Sequence, residues 1–152
     1  MTPTSRRLAF AQLDVFSSEP FAGNALAVVS DATGLSSDEM QNIARETNLS
    51  ETTFIFPRDA ATEREHGVRV RIFTTQEELP FAGHPTLGTA FFLRGTKPTA
   101  EVVLDLNVGR VPVRFESQPG EPVFGEMTQV DPKFGATHDR ETVVRAKGLR
   151  DG

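Results

Sequence analysis

The chain has 152 residues, of which 38% are hydrophobic and 24% are charged, a composition typical of one globular domain with a hydrophobic core. The net charge of -5 argues against nucleic acid as a partner, and no apolar run approaches the roughly 18 residues that cross a membrane. Cysteine is absent, which excludes disulfides and thiolate ligands, and the three dispersed histidines argue against a metal site. We therefore predict a cytoplasmic protein without a bound metal.

Turn residues, helix caps and apolar periodicity predict seven strands and three helices. The strands are expected at residues 8–16, 25–29, 52–56, 68–74, 102–106, 111–115 and 123–130. The helices are expected from the cap Ser36 to about Asn48, at about 85–94, and at 139–147 with Val143, Val144 and Ala146 facing inward. The charged stretch 59–67 is predicted as a hairpin-like loop, and Arg69 and Arg71 as the solvated face of their strand.

The helix at 85–94 is apolar nearly all round, which is normal for a helix in a protein core. Pro85 suits its first position, because the missing N–H of proline has no helical partner there. A buried helix with an open N-terminus brings unpaired N–H groups and the positive end of its dipole into the interior, which favours a carboxylate or a phosphate. His84 at this helix mouth is a candidate for chemistry.

The order of elements predicts an α+β domain in which a curved, mostly antiparallel sheet wraps around this central buried helix. Phenylalanine supplies all 12 aromatic residues, since tryptophan and tyrosine are absent, and we expect these rings to be core. Pro-Phe-Ala-Gly occurs twice, at 20–23 and 80–83, and we interpret the repeat as a shared turn requirement.

Three ordered motifs resemble the phenazine-biosynthesis (PhzF-like) isomerases, which share the diaminopimelate-epimerase-type fold. The motifs lie at 14–24, 48–54 and 83–86. The resemblance implies a cofactor-independent isomerase with its active site in the cleft between two similar halves, acting on a small carboxylate such as a dihydro-hydroxyanthranilate. It further implies that Glu51 is the general acid/base, that Gly83 and His84 hold the substrate, and that Ser50 and Asn24 flank the cleft.

The chain departs from this family in two respects. Members are about twice as long, and their second half supplies an Asp-Pro-Ala-Thr-Gly-Ser-type motif that is not found in this sequence. Ala82 stands where related amino-acid epimerases carry a catalytic cysteine, so a two-thiol mechanism is excluded. We therefore expect residues 1–152 to form one half-domain, which is a fragment, a truncated product, or a half that pairs with a second copy as a homodimer.

Each candidate residue also has a structural interpretation. Glu51 could be a solvated charge at a strand start, His84 a helix cap, and Asn24 an ordinary turn residue. Asp14 could bond backbone donors of the adjoining loop instead of lining a site. For the whole chain, the alternatives to an isomerase are a non-catalytic half-domain that binds a small molecule or a partner, and a purely structural domain.

Overall fold

The computed structural model describes residues 6–129 and 131–148, and within these ranges the chain forms eight strands and four helices. The strands are β1 Phe10–Val15, β2 Asn24–Val29, β3 Glu51–Phe56, β4 Val68–Phe73, β5 Glu78–Leu79, β6 Glu101–Leu106, β7 Gly109–Glu116 and β8 Phe124–Met127. The helices are α1 Ser37–Thr47, α2 Ala60–His66, α3 Gly83–Arg94 and α4 Arg140–Ala146. None of the helices in the described part of the chain is long and apolar enough to cross a membrane.

All the strands belong to one mixed sheet with the order β1-β2-β3-β4-β6-β7-β8, and β5 pairs with the end of β4. Most neighbouring strands are antiparallel, whereas β2 runs parallel to β3 and β4 runs parallel to β6. The predicted fold class, an α+β domain with a mostly antiparallel sheet around a buried helix, is confirmed.

The two parallel pairs explain why the helices cover both faces of the sheet. Helix α1 connects β2 to β3, and α3 connects β4 to β6. Parallel crossovers are nearly always right-handed. Because β3 and β4 are antiparallel, the two crossovers start from strands of opposite direction, and the same handedness then puts α1 and α3 on opposite faces. Accordingly, the core divides into a larger cluster around α3 and a smaller one around α1.

Helix α3 packs directly onto β1 and β2 because Gly88 lacks a side chain. A Cβ placed on Gly88 would lie 2.6 Å from Leu26 Cδ2 and 2.7 Å from Val15 Cγ2, well inside van der Waals contact. In the first turn of the helix, the hydroxyl group of Thr86 donates a hydrogen bond of 2.7 Å to the carbonyl oxygen of Ala82. The predicted buried central helix is thus confirmed, and it begins at Gly83, two residues before the expected start.

Three expectations on the surface elements are wrong. The charged stretch 59–67 contains helix α2, capped by Asp59, whose Oδ1 accepts from the N–H groups of Ala61 and Thr62 at 3.0 Å. Apolar periodicity missed it because none of its residues is buried. Helix α4 exists as predicted, but it has no buried residue, so its valines do not face inward. The last strand is shorter than expected, Phe124–Met127, and residue 130 at its predicted end lies outside the described residues.

The arginines of β4 alternate with buried residues as expected, yet they are not solvated. Arg71 donates from Nε to Glu78 Oε1 at 2.7 Å, and only about a fifth to a quarter of each side chain is exposed. Arg69 donates to the carbonyl oxygen of Asp105 at 3.1 Å. These hydrogen bonds connect β4 to β5 and β6 on the face of the sheet that α1 covers.

Candidate active site

Glu51 and His84 meet at one end of the sheet, although 33 positions separate them in the chain. Glu51 is the first residue of β3 and His84 the second residue of α3, and Glu51 Oε2 lies 3.2 Å from His84 Nε2. The side chains are 17% and 10% exposed. Both atoms are buried, and neither makes a hydrogen bond of good geometry to any residue that the structure describes. A buried carboxylate oxygen and a buried imidazole nitrogen therefore face one small space.

The N-terminus of α3 supplies backbone donors to the same space. Its N-cap residue, Ala82, offers no side-chain cap, and the first intrahelical bond runs from the N–H of Thr86 to the carbonyl oxygen of Ala82 at 3.3 Å. The N–H groups of Gly83 and His84 precede that bond, and Pro85 has no N–H to leave unpaired. Pro85 is the third helical residue, not the first as expected. Two amide groups and the positive helix end thus lie beside the Glu51–His84 contact.

Ser50 and Asn24 lie at the same end of the sheet without joining this contact. Ser50 directly precedes Glu51. Asn24 is the first residue of β2 and lies two positions before Leu26, which pairs with Glu51. Both residues are exposed, and neither side chain makes a hydrogen bond to another described residue. Asp14 bonds a backbone donor of the adjoining loop, because its Oδ2 accepts from the N–H of Phe21 at 2.7 Å, and it also lines the cavity described below. Their roles toward a substrate stay predictions.

Two aromatic residues of the β1–β2 loop are exposed, and one of them, Phe16, lies beside His84, which sequence reasoning did not anticipate. Phe16 is 72% exposed and its ring centroid lies 6.5 Å from that of His84, while Phe21 is 97% exposed. Both have positive φ, 68° and 67°, a backbone region that bulky residues rarely adopt. The expectation that the phenylalanines form the core is wrong for these two residues, and also for Phe10, Phe124 and Phe134, which are exposed as well. Nothing in the residue pattern distinguishes these phenylalanines from the buried ones.

An apolar cavity of about 650 Å³ opens beside Phe16, between the two edges of the sheet. Its walls come from the end of β1, from α3 through Leu87 and Phe91, and from the segment that leads into β8. Phe16 lines this cavity and is also the aromatic neighbour of the His84 imidazole. The site therefore has a polar part at the mouth of α3 and an apolar part next to it.

Comparison with known proteins identifies the family of this chain. The family model of the PhzC-PhzF proteins, described as phenazine biosynthesis-like, matches residues 13–146. The chain belongs to this family. Among curated PhzC-PhzF relatives, the trans-2,3-dihydro-3-hydroxyanthranilate isomerase of Pseudomonas aeruginosa is 39% identical over 141 residues, which are 93% of this chain and 49% of the relative. The predicted family resemblance is confirmed.

Solved structures show the same fold. A predicted epimerase from Pseudomonas aeruginosa has a TM-score of 0.77 and 38% identity, and the match covers 95% of this chain and 51% of the other. The PhzF family protein of Bacillus anthracis has a TM-score of 0.71 and 28% identity, with 95% and 48% covered. The chain thus spans about half the length of the PhzC-PhzF relatives that it matches.

Proposed function

We propose that this PhzC-PhzF chain forms one half of a two-lobed, cofactor-independent isomerase site that moves a proton on a small carboxylate-bearing substrate. The observation that carries the proposal is the 3.2 Å approach of Glu51 Oε2 to His84 Nε2 at the mouth of the buried helix α3. The substrate class follows the relatives of similar sequence, which are named trans-2,3-dihydro-3-hydroxyanthranilate isomerases. Cytoplasmic location stays a prediction.

Glu51 is the proposed general base and acid. Its carboxylate removes a proton from one ring carbon of the substrate, and the double bond shifts. The carboxyl group, whose proton exchanges with solvent, then delivers a proton to another ring carbon. The substrate and product have the same atoms and the same oxidation state, so the step needs neither an oxidant nor a reductant. One carboxylate can perform both transfers when it is held close to the substrate and shielded from water, as its 17% exposure allows.

His84 and the start of α3 are the proposed substrate-holding turn. The N–H groups of Gly83 and His84 point toward the helix mouth, where the helix dipole favours a negative charge. A substrate carboxylate bound there would place its ring beside Glu51 and against Phe16. Ser50 and Asn24, which lie exposed at the same end of the sheet, are proposed to contact the substrate at the rim.

Uptake of solvent deuterium into trans-2,3-dihydro-3-hydroxyanthranilate tests the catalytic role. Glu51→Gln keeps the shape of the side chain and removes the base, so we expect uptake to fall by about 10²-fold or more. Glu65→Gln is the matched control, because Glu65 is exposed on α2, which follows the C-terminal end of β3, whereas Glu51 is the first residue of that strand. Equal uptake by the wild type and Glu51→Gln would remove Glu51 from the mechanism.

The opposite wall of the cleft is proposed to come from a second copy of the chain in a two-fold dimer. The support is the exposed apolar surface of the β1–β2 loop, where Phe16, the aromatic neighbour of His84, is 72% exposed and Phe21 is 97% exposed. Large exposed apolar groups mark association surfaces, and a symmetric dimer buries the same patch of both copies. Light scattering should give twice the mass of the chain, and Phe21→Ser should shift the protein toward monomer. A wild-type monomer that retains the isomerase activity would contradict this assembly.

The alternative is a half-domain that binds a small molecule or a partner without turning it over. The observation in its favour is the apolar cavity of about 650 Å³, which could hold a small ring beside Phe16. Calorimetry with trans-2,3-dihydro-3-hydroxyanthranilate separates the two functions. Saturable binding without deuterium uptake by the dimer would favour this alternative over the isomerase.

A further inference from the structure

The fully buried polar residues in the described part of the chain are all threonines: Thr52, Thr53, Thr86 and Thr89. Thr89 of α3 donates its hydroxyl to Thr53 Oγ1 of β3 at 2.9 Å, and Thr53 donates in turn to the carbonyl oxygen of Ala27 on β2 at 3.3 Å. Valine would fill the same volume without any need for a partner. This chain of hydrogen bonds ties together the elements that carry His84, Glu51 and Asn24.

The threonine bond and the Glu51–His84 contact belong to one interface between β3 and α3. Glu51 and Thr53 are two residues apart on a strand, so they point to the same face and are spaced by about 6.7 Å. His84 and Thr89 are five residues apart on a helix, a rise of about 7.5 Å. The two contacts join the same strand to the same helix at levels about 7 Å apart, so a slide of α3 along β3 would disturb both.

The Thr53–Thr89 hydrogen bond fixes the position of α3 along β3, which apolar packing alone does not. Burial of apolar surface is non-directional, so it resists separation of α3 from the sheet more strongly than a small slide along it. A buried hydroxyl pair has a narrow range of good distances and angles, and therefore fixes the helix at one position along β3. Displacement of reacting groups by about 1 Å can lower a rate by about 10²-fold.

We propose that Thr89 is a positioning residue, which through Thr53 sets the distance between Glu51 Oε2 and His84 Nε2. This inference rests on the proposed function of the pair, and its first test needs no turnover. Thr52 provides a matched control on the opposite face of β3. It is equally buried and shares a hydrogen bond of 2.9 Å with Thr47 of α1, on the side of the sheet away from α3.

The first test measures how strongly His84 senses Glu51. Nitrogen-15 NMR at one fixed pH gives the chemical-shift change of His84 Nε2 on Glu51→Gln, in the wild type and in threonine variants of the full chain. We expect Thr89→Val to lose at least half of that response. Thr89→Ser, which keeps the hydroxyl, and Thr52→Val, which removes the control bond, should retain it. A full response in Thr89→Val would overturn the proposal.

Thr53→Val removes the acceptor of the same bond from the other side and guards against a folding defect in Thr89→Val. It should show the same loss of response, and a full response in a folded Thr53→Val would equally overturn the proposal.

Kinetics supply the second test. With trans-2,3-dihydro-3-hydroxyanthranilate we expect Thr89→Val to lower kcat about 10-fold or more with KM within about twofold, since distance affects the transfer more than binding. Thr52→Val should match the wild type. If the wild type does not turn over this substrate, the proposed function fails, while the NMR response still decides the role of Thr89.

Discussion

Replacement of Gly88 by alanine tests how closely α3 must approach the sheet. The added Cβ would lie 2.6 Å from Leu26 Cδ2 and 2.7 Å from Val15 Cγ2. Leu26 is completely buried, so it has no free space into which it could turn, whereas Val15, at 7% exposure, borders the apolar cavity. Carbon atoms pack best at about 3.5–4.0 Å, so the helix must move away from β1 and β2 by about 1 Å.

Two effects of opposite sign determine the change in stability. Overpacking of a filled core typically costs about 1–3 kcal/mol. Alanine is a better helix former than glycine and returns about 1 kcal/mol in a helix interior. The contacts at Gly88 are with two buried side chains at once, which places its overpacking in the upper part of that range. We therefore expect a net loss of about 1–2 kcal/mol, or about 2–8 °C in Tm for a chain of this size.

Thermal unfolding followed by circular dichroism measures this change. Gly135→Ala is the control, because nothing lies within 4 Å of a Cβ at that position, and it should stay within about 0.5 kcal/mol of the wild type. The same displacement should weaken the response of His84 to Glu51→Gln. A Gly88→Ala protein with the Tm of the wild type, or a higher one, would refute the argument that the close approach of α3 requires glycine.

Three further predictions concern other parts of the fold. Ser36→Ala removes the capping box of α1 and should lower the free energy of unfolding by about 1 kcal/mol in urea titrations with an unchanged slope, whereas Ser36→Asn, which can still cap, should lose much less. Hydrogen bonds from Arg71 hold the pKa of Glu78 below its usual value of 4.5, so the pair contributes stability at neutral pH that is lost as the pH falls through the folded-state pKa. The urea midpoint should therefore fall more steeply toward acid pH in the wild type than in Glu78→Gln, and parallel curves would contradict this pairing. The two glycines of the Pro-Phe-Ala-Gly repeat should differ, because a Cβ on Gly23 would lie 2.6 Å from the carbonyl oxygen of Val15, whereas a Cβ on Gly83 would meet the methyl group of Met127 at an ordinary 3.4 Å. Gly23→Ala should therefore lower Tm and Gly83→Ala should not. Equal losses of Tm would show that both copies of the repeat share one steric requirement.

Elements with strong local signals were predictable from the sequence. Ser36 caps α1 with Glu39 as the reciprocal partner, and Met40 and Ala44 are its buried residues, as helical spacing requires. Helix α2 shows the limit of this reasoning, because the cap at Asp59 is a local signal but the apolar stripe that usually accompanies a helix is missing.

The candidate site was predictable only as separate pieces. The motif around Glu51 and the glycine turn before His84 can be recognised one at a time, and the resemblance places both at one site. Their contact at 3.2 Å depends on β3 and α3 packing against each other, with the Thr53–Thr89 bond at their interface and Gly88 close against β1 and β2. The aromatic surface beside them was missed, because a phenylalanine at positive φ has no signature in the residue types around it.

By itself the sequence determined the properties that arise between neighbours in the chain: apolar periodicity, caps, turns, and a central helix without a polar face. Only the tertiary structure decided which groups meet and which stay exposed. Glu51 is covered by elements distant in the chain, whereas Val143 is not. Helix α4 forms from local signals, yet Val143 remains 41% exposed. The reason is that burial and side-chain contacts depend on elements brought together from distant parts of the chain, and local preferences do not specify the distances between them.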